Sequence, residues 1–232
     1  MEIAEATFEE AFKQSIKQIW DIPDYVTDSR LGNMREIQGF TYLVNDPSTF
    51  EFDNKAIGRI QYQYASDFYD FMISGSTDAE AAFKEYPNVA RFVTKPKSPD
   101  LPDNFNTFYG PRIVAQLPAI IKELTDNPNS RRAVISILAP QDLELLDKDE
   151  TLEFPCCDSA TFSIREGALN LHLHMRSQNM GQVLKLDMYL WGRFQTYFAD
   201  VLKVKLGIFM SSVVSAHVFE SDEEYLTSLE II

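Results

Sequence analysis

Residues 160–176 read ATFSIREGALNLHLHMR. Two alternating segments flank Glu166-Gly167, a tight-turn signal, so the stretch predicts a β-hairpin. In its second strand Leu169, Leu171, Leu173 and Met175 share one face, and Asn170, His172, His174 and Arg176 the other. LDMYLWGRFQTYFADVLKV, residues 186–204, is apolar almost all round, which predicts a long, central, buried helix. IFMSSVVSAHVF, residues 208–219, is rich in β-branched residues and predicts another strand containing His217. RAVISIL, residues 132–138, reads as a buried strand.

Upstream, Thr7 with Glu10 three residues on signals a capped helix start. Phe8, Phe12, Ile16 and Ile19 follow at helical spacing. Residues 33–44 predict a strand pair around Gly39. Residues 60–74 predict a helix with an aromatic face, ended by Gly75, and 113–125 one broken by Asp126, Asn127 and Pro128. The Pro-rich stretch 95–112 reads as an irregular surface excursion. Strands and helices interleave without a regular βαβ alternation, which favours α+β in a single domain over residues 1–232.

A length of 232 residues suits one large domain at about 150 residues per domain. With 21 Lys+Arg against 35 Asp+Glu, the net charge is −14. That surface disfavours nucleic-acid polymers and anionic membranes, whose binding rests on basic side chains. A small phosphorylated substrate held by a few local arginines remains open. The two cysteines, Cys156 and Cys157, are adjacent and cannot staple a disulfide framework. The N-terminus reads as an amphipathic helix, not a signal peptide, and no apolar run is long enough to span a bilayer. The expected setting is soluble and cytoplasmic.

Unaided, Cys156 before a core strand reads as a small buried hydrophobe. A reactive thiolate needs a cation nearby. Pairing outward from Glu166-Gly167 brings Arg176 close to Cys156 across the ladder, provided no bulge intervenes. Arg131 and Arg132 read as a solvated edge or, functionally, as a bidentate phosphate clamp. His172-x-His174 is half a metal site at most, with no carboxylate or cysteine spacing to complete it, so no metal is expected. Asp187 opens a buried helix, where helix-dipole preference alone accounts for a carboxylate, yet an acid buried there needs a partner.

Together these pieces resemble the thymidylate synthase superfamily, in outline over 30–219 and closely over 128–219. The family's arginine pair lies in Pro128-Asn129-Ser130-Arg131-Arg132 and its nucleophile in Pro155-Cys156. Twenty positions on comes the arginine of Met175-Arg176-Ser177, eleven further Asp187, and thirty further His217 in His217-Val218-Phe219. Asp at the base-reading position, with a long spacer between Arg132 and Cys156, is similar to the deoxycytidylate hydroxymethylases of phages; thymidylate synthases carry Asn there.

The resemblance implies a twisted mixed sheet flanked by helices and a homodimer formed through that sheet. It implies Cys156 as nucleophile, with Tyr109 and Asp67 at the positions of the active-site tyrosine and catalytic glutamate. Arg30, Arg176 and Ser177 would hold the phosphate, joined by Arg131 and Arg132 of the second subunit. Asp187 would read the base, and His217 with Phe219 would meet the sugar, Phe219 replacing a tyrosine. Asp67 and Asn179 would meet the co-substrate 5,10-methylenetetrahydrofolate, Asn179 replacing an aspartate. By the resemblance, the family's folate-closing C-terminal region, which follows the position of Phe219, is expected to be cut short here. The expected activity is dCMP or CMP 5-hydroxymethylation. Rival expectations are a dCMP 5-methyltransferase, a non-catalytic nucleotide-binding homologue and a histidine metal enzyme.

Overall fold

The computed structural model describes residues 2–29, 31–49, 59–76, 93–94, 104–105, 109–147 and 154–232. In chain order the first elements are β1 (Glu2–Glu5), α1 (Phe8–Asp21), β2 (Tyr25–Thr27), β3 (Met34–Val44) and α2 (Arg59–Ser74). Next come β4 (Val93–Thr94), β5 (Asn104–Phe105), α3 (Tyr109–Asp126), β6 (Val134–Ser136) and a 3-10 helix at Pro140–Asp147. The last are β7 (Cys157–Arg165), β8 (Ala168–Asn179), α4 (Leu184–Leu202), β9 (Lys205–Phe219) and α5 (Glu223–Ser228).

A mixed sheet runs in the order β1-β3-β9-β8-β7-β6, with β2 also paired to β3. The hairpin β7–β8 closes at Arg165↔Ala168, and both turn residues, Glu166 and Gly167, take positive φ of 52° and 75°. That backbone twist matches the flanking strands, so a two-residue loop suffices. β8 then pairs in parallel with β9, and α4 is the crossover between them. Chain order thus delivers β8 to the middle of the sheet.

Alternation decides which face is covered. Leu169, Leu171, Leu173 and Met175 are buried, as are Phe209, Ser211 and Val213 on β9 and Phe40, Tyr42 and Val44 on β3. Trp191, Phe194 and Phe198 of α4 press on this face; Phe198 meets Phe162 at 4.3 Å between ring centroids, and Phe194 meets Tyr69 of α2 at 5.1 Å. α1 packs on β3 and β9 through Phe8, which meets Phe209 edge-on at 5.0 Å. Thr7 and Glu10 form the expected capping box. On the other face His172, His174 and Ser212 are half-buried, and Val214 is 63% exposed.

Several sequence readings are corrected. Residues 34–44 form one strand, not a pair: Gly39 sits mid-strand at φ +66°, and the register with β9 runs unchanged from Gln38↔Ser215 to Phe40↔Val213. Pairing with a long neighbour outweighs the glycine's turn preference. RAVISIL yields only the three-residue edge strand β6. Ala133, Ile135 and Ile137 are buried while Val134 is exposed, because an edge strand covered on one side buries alternate residues. The helix expected at 113–125 begins four residues earlier, at Tyr109. In the excursion at 95–112, residues 95–103 and 106–108 lie outside the described residues. No helix among the described residues is long and apolar enough to cross a membrane.

The Phe209 ring is fully buried between Phe8 and Tyr42. Phe209→Ala should therefore cost about 3–5 kcal/mol of stability, read from urea denaturation; a loss under about 1 kcal/mol would show that this layer is not the core.

Candidate active site

The hairpin register decides where the thiol goes. Extended without interruption, the Arg165↔Ala168 register would set Cys157 opposite Arg176. A bulge between Cys157 and Ser159 shifts the ladder by one residue, so Cys157 pairs with Met175 and the Arg176 N–H donates to the Cys156 carbonyl at 2.9 Å. The expectation of nearness holds, but for the opposite reason: the bulge, not its absence, brings Cys156 to Arg176.

Arg176 is held hard against the segment before the bulge. Its Nε donates to the Pro155 carbonyl at 2.7 Å and its Nη2 to the Phe154 carbonyl at 3.1 Å. The guanidinium lies 4.7 Å from the Phe154 ring centroid, and Nη2 reaches Cys156 Sγ at 3.8 Å. From α3, the Tyr109 hydroxyl accepts the N–H groups of Cys156 at 3.1 Å and Cys157 at 2.8 Å. Two backbone donors beside the bulge are thereby satisfied. Burial pushes the Cys156 thiol above its ordinary pKa while Arg176 pulls it down, and burial wins. Cys157 is fully buried and is pushed well above the ordinary value by burial.

Asp187 sits in the first turn of α4, only 8% exposed. Burial raises its pKa from 3.8 to about 7, opposed by the hydrogen bond from Gln178 Nε2 to Oδ2 at 2.8 Å. Its charge adds to burial in raising the pKa of Cys156, Cys157, Tyr109 and Tyr42. His217, on β9 opposite Asn179, has its pKa lowered by burial; Ser215, Glu36 and Asp222 act to raise it and Arg176 to lower it. The Phe219 ring meets the His217 ring edge-on at 5.2 Å.

The remaining expected residues are spread more widely. Ser177 follows Arg176 on β8, half-buried opposite Ser215. Asn179 Oδ1 accepts the Gln182 N–H at 3.0 Å, shaping the turn into α4. Asp67 lies on α2, its Oδ1 accepting from Gln63 Nε2 at 2.9 Å. Arg132 is 78% exposed and forks onto Glu123 of its own chain, Nη2 to Oε1 at 2.9 Å, while Arg131 is exposed beside it. Arg30 falls outside the described residues. His172 and His174 stack at 4.3 Å, and His172 Nε2 meets Ser212 Oγ at 2.8 Å. Among the described residues no group of three or more His, Cys, Asp or Glu is placed to hold a metal ion.

Sequence reasoning missed Gln178 and Phe154. The polar run Ser177-Gln178-Asn179, closing a strand of alternating leucines, is the signal for the first. Phe154 carries no such signal, because its value lies in a guanidinium that arrives from another strand.

Residues 4–229 match the family described as thymidylate synthase. A protein of Methanosarcina barkeri, provisionally named a thymidylate synthase, is 24% identical over 230 residues, covering 96% of this chain and 91% of that protein. The thymidylate synthase of Mycoplasma genitalium is 27% identical over 157 residues, covering 68% of this chain and 49% of its own length. The crystal structure of thymidylate synthase from T4 phage has the same fold, with a TM-score of 0.75 at 18% identity, covering 94% of this chain and 79% of that one. A family match over nearly the whole length, joined to that fold, gives the conclusion: this chain belongs to the thymidylate synthase family of one-carbon transferases, which bind a pyrimidine nucleotide and use methylenetetrahydrofolate as co-substrate.

Proposed function

We propose that this chain transfers a one-carbon unit to carbon 5 of a cytosine nucleotide, acting as a dCMP or CMP 5-hydroxymethyltransferase. The observation that carries the reading is the buried Asp187 carboxyl group, bonded by Gln178 and acting electrostatically on Cys156. Ionised, a carboxylate offers only acceptors. Cytosine protonated at ring nitrogen 3 offers two donors, that nitrogen and the 4-amino group. Uracil sets a donor beside an acceptor, which a carboxylate repels and a carboxamide suits.

Carbon 5 of a pyrimidine is a weak nucleophile. Addition of the Cys156 thiolate to carbon 6 gives carbon 5 enamine character and drives electron density onto nitrogen 3. Asp187, raised to about 7 by burial, carries a transferable proton at neutral pH and delivers it there. The folate supplies a one-carbon unit at the oxidation level of formaldehyde. Once carbon 5 has bonded to that carbon and lost its own proton, the bond from that carbon to the folate nitrogen breaks, tetrahydrofolate leaves with the electron pair, and the nucleotide carries an exocyclic methylene. Water adds to the methylene, the carbon–sulfur bond breaks, and Cys156 leaves as thiolate. Tyr109, bonded to both N–H groups at the cysteine pair, keeps the sulfur on its approach line.

In this reading Arg176, Ser177 and Arg30 bind the phosphate. Arg131 and Arg132 come from a second copy of the chain, met through the half-open sheet face around His174 and Val214, and the phosphate replaces Glu123 as partner of Arg132. His217, flanked by Phe219, meets the sugar. Asp67 and the Nδ2 of Asn179, whose Oδ1 is taken by Gln182, suit the donor–acceptor edge of a pterin. A second reading, reduction of the same methylene to a 5-methyl group, is favoured by the names of the relatives; product mass separates the two.

Alkylation of Cys156 should be slow at neutral pH and rise with pH, since burial leaves most of the thiol protonated. Arg176→Met should move that rise to higher pH, with Cys157 lagging throughout, read by intact mass. Superimposable native and variant profiles would remove Arg176 from thiol activation. Turnover of dCMP, CMP, dUMP and UMP with methylenetetrahydrofolate tests the main reading. Asp187→Asn should shift the ratio of kcat/KM from cytosine towards uracil nucleotide by about tenfold or more, and an unchanged preference overturns the base assignment. Cys156→Ser should abolish turnover while nucleotide binding persists.

A further inference from the structure

A carboxylic acid whose pKa is raised to about 7 keeps its proton in a large share of the molecules at neutral pH. In that form an unrestrained acid is a poor discriminator. Proton on one oxygen, it donates to cytosine nitrogen 3 and accepts from the 4-amino group. Proton on the other, it donates to uracil oxygen 4 and accepts from nitrogen 3. Choosing cytosine therefore requires that the proton be confined to one oxygen.

The surroundings of Asp187 supply the confinement. Gln178 Nε2 donates to Oδ2 at 2.8 Å, so Oδ2 must remain an acceptor and the proton is left to Oδ1. An amide can flip and offer its oxygen instead, which would invert the arrangement. Behind the amide lie three buried polar atoms with no aligned hydrogen bond among the described residues: Gln178 Oε1, Tyr42 Oη and Ser211 Oγ. Tyr42 and Ser211 face each other across β3 and β9. Burial raises the Tyr42 pKa, while Ser211 and Gln178 lower it as hydrogen-bond partners at close range. Gln178 lowers the Tyr42 pKa, the direction expected of an N–H aimed at the hydroxyl oxygen, so Tyr42 Oη and Asp187 Oδ2 together hold Nε2 on this side and leave Oε1 turned away. The other titratable groups facing Asp187 are Cys156 and Cys157 from β7 with its approach and Tyr109 from α3. Burial raises the pKa of each, so each stays neutral beside the acid.

We propose that Gln178, oriented by Tyr42, is the positioning residue that confines the Asp187 proton to Oδ1 and thereby extends selection of cytosine over uracil nucleotides to the neutral form of the acid. This rests on the reading of Asp187 as the residue that meets the base. With Oδ2 accepting from both Gln178 and the 4-amino group, and Oδ1–H donating to nitrogen 3, cytosine fits. Uracil sets oxygen 4 against Oδ2 and its N–H against Oδ1–H.

The test uses the whole chain with Gln178→Met and Tyr42→Phe, each close to its parent in volume. Carbon-13 NMR of the carboxyl groups, with the Asp187 signal identified by its loss in Asp187→Asn, gives its titration midpoint in the nucleotide-free protein. Binding of dCMP and dUMP is measured on both sides of that midpoint. Gln178→Met should raise the midpoint, because the hydrogen bond that lowers it is gone. It should also reduce the dCMP-to-dUMP affinity ratio about tenfold on the acid side and little on the alkaline side. Tyr42→Phe should reduce the acid-side ratio in the same sense but less, and it decides the matter if Gln178→Met fails to fold. An acid-side ratio unchanged in the variants overturns the proposal while leaving Asp187 as base reader. A uniform loss of affinity for both nucleotides at every pH, with no change in the ratio, also overturns it and marks a purely structural role. If Asp187→Asn leaves base preference unchanged, it is the underlying reading that fails.

Discussion

One irregularity in a hairpin positions the chemistry of this chain. The β7–β8 ladder runs regularly from its two-residue turn until the bulge between Cys157 and Ser159, where the strand gains a residue. Without that residue the thiol opposite Arg176 would be Cys157, which is fully buried. With it, Cys156 meets the guanidinium, and Tyr109 takes up the two N–H groups beside the bulge. A bulge leaves polar backbone unpaired, and burial makes that costly unless a partner is supplied. The tyrosine on α3 therefore belongs to the fold of the hairpin as much as to any chemistry beside it.

The same burial that shapes the site sets its acid–base character. It raises Cys156, Tyr109 and Asp187 together, since each becomes an anion on losing its proton and removal from solvent disfavours anions. Arg176 is the cation that opposes this at the sulfur, and Gln178 the donor that opposes it at the carboxylate. Burial thus favours the protonated form of each of these acids.

Much was legible before any coordinates. Alternation at 160–176 marked the hairpin, the unbroken apolar run at 186–204 marked α4, and the Thr7–Glu10 capping box marked the start of α1, because each signal is local and repeats with the period of its element. Spacing from Cys156 to Arg176, Asp187 and His217 carried the family resemblance. Local signals misled where long-range pairing overrode them. Gly39 reads as a turn but lies inside β3, held by an eleven-residue strand against β9, and RAVISIL reads as a buried strand but forms a short edge that buries only alternate residues.

The sequence by itself determined the β7–β8 hairpin, the long apolar helix α4, the capped start of α1, the family resemblance and the chemical types available at the site, since these depend on residue identity and spacing along the chain. Only the tertiary structure decided which cysteine faces Arg176, that Tyr109 clamps the bulge, that Arg132 lies on Glu123, and that Gln178 and Tyr42 stand behind Asp187. The physical reason is that hydrogen-bond partners and desolvation are properties of space. A one-residue shift in register, or an amide brought from a neighbouring strand, leaves no trace in local pattern yet settles which atoms meet and how firmly each keeps its proton.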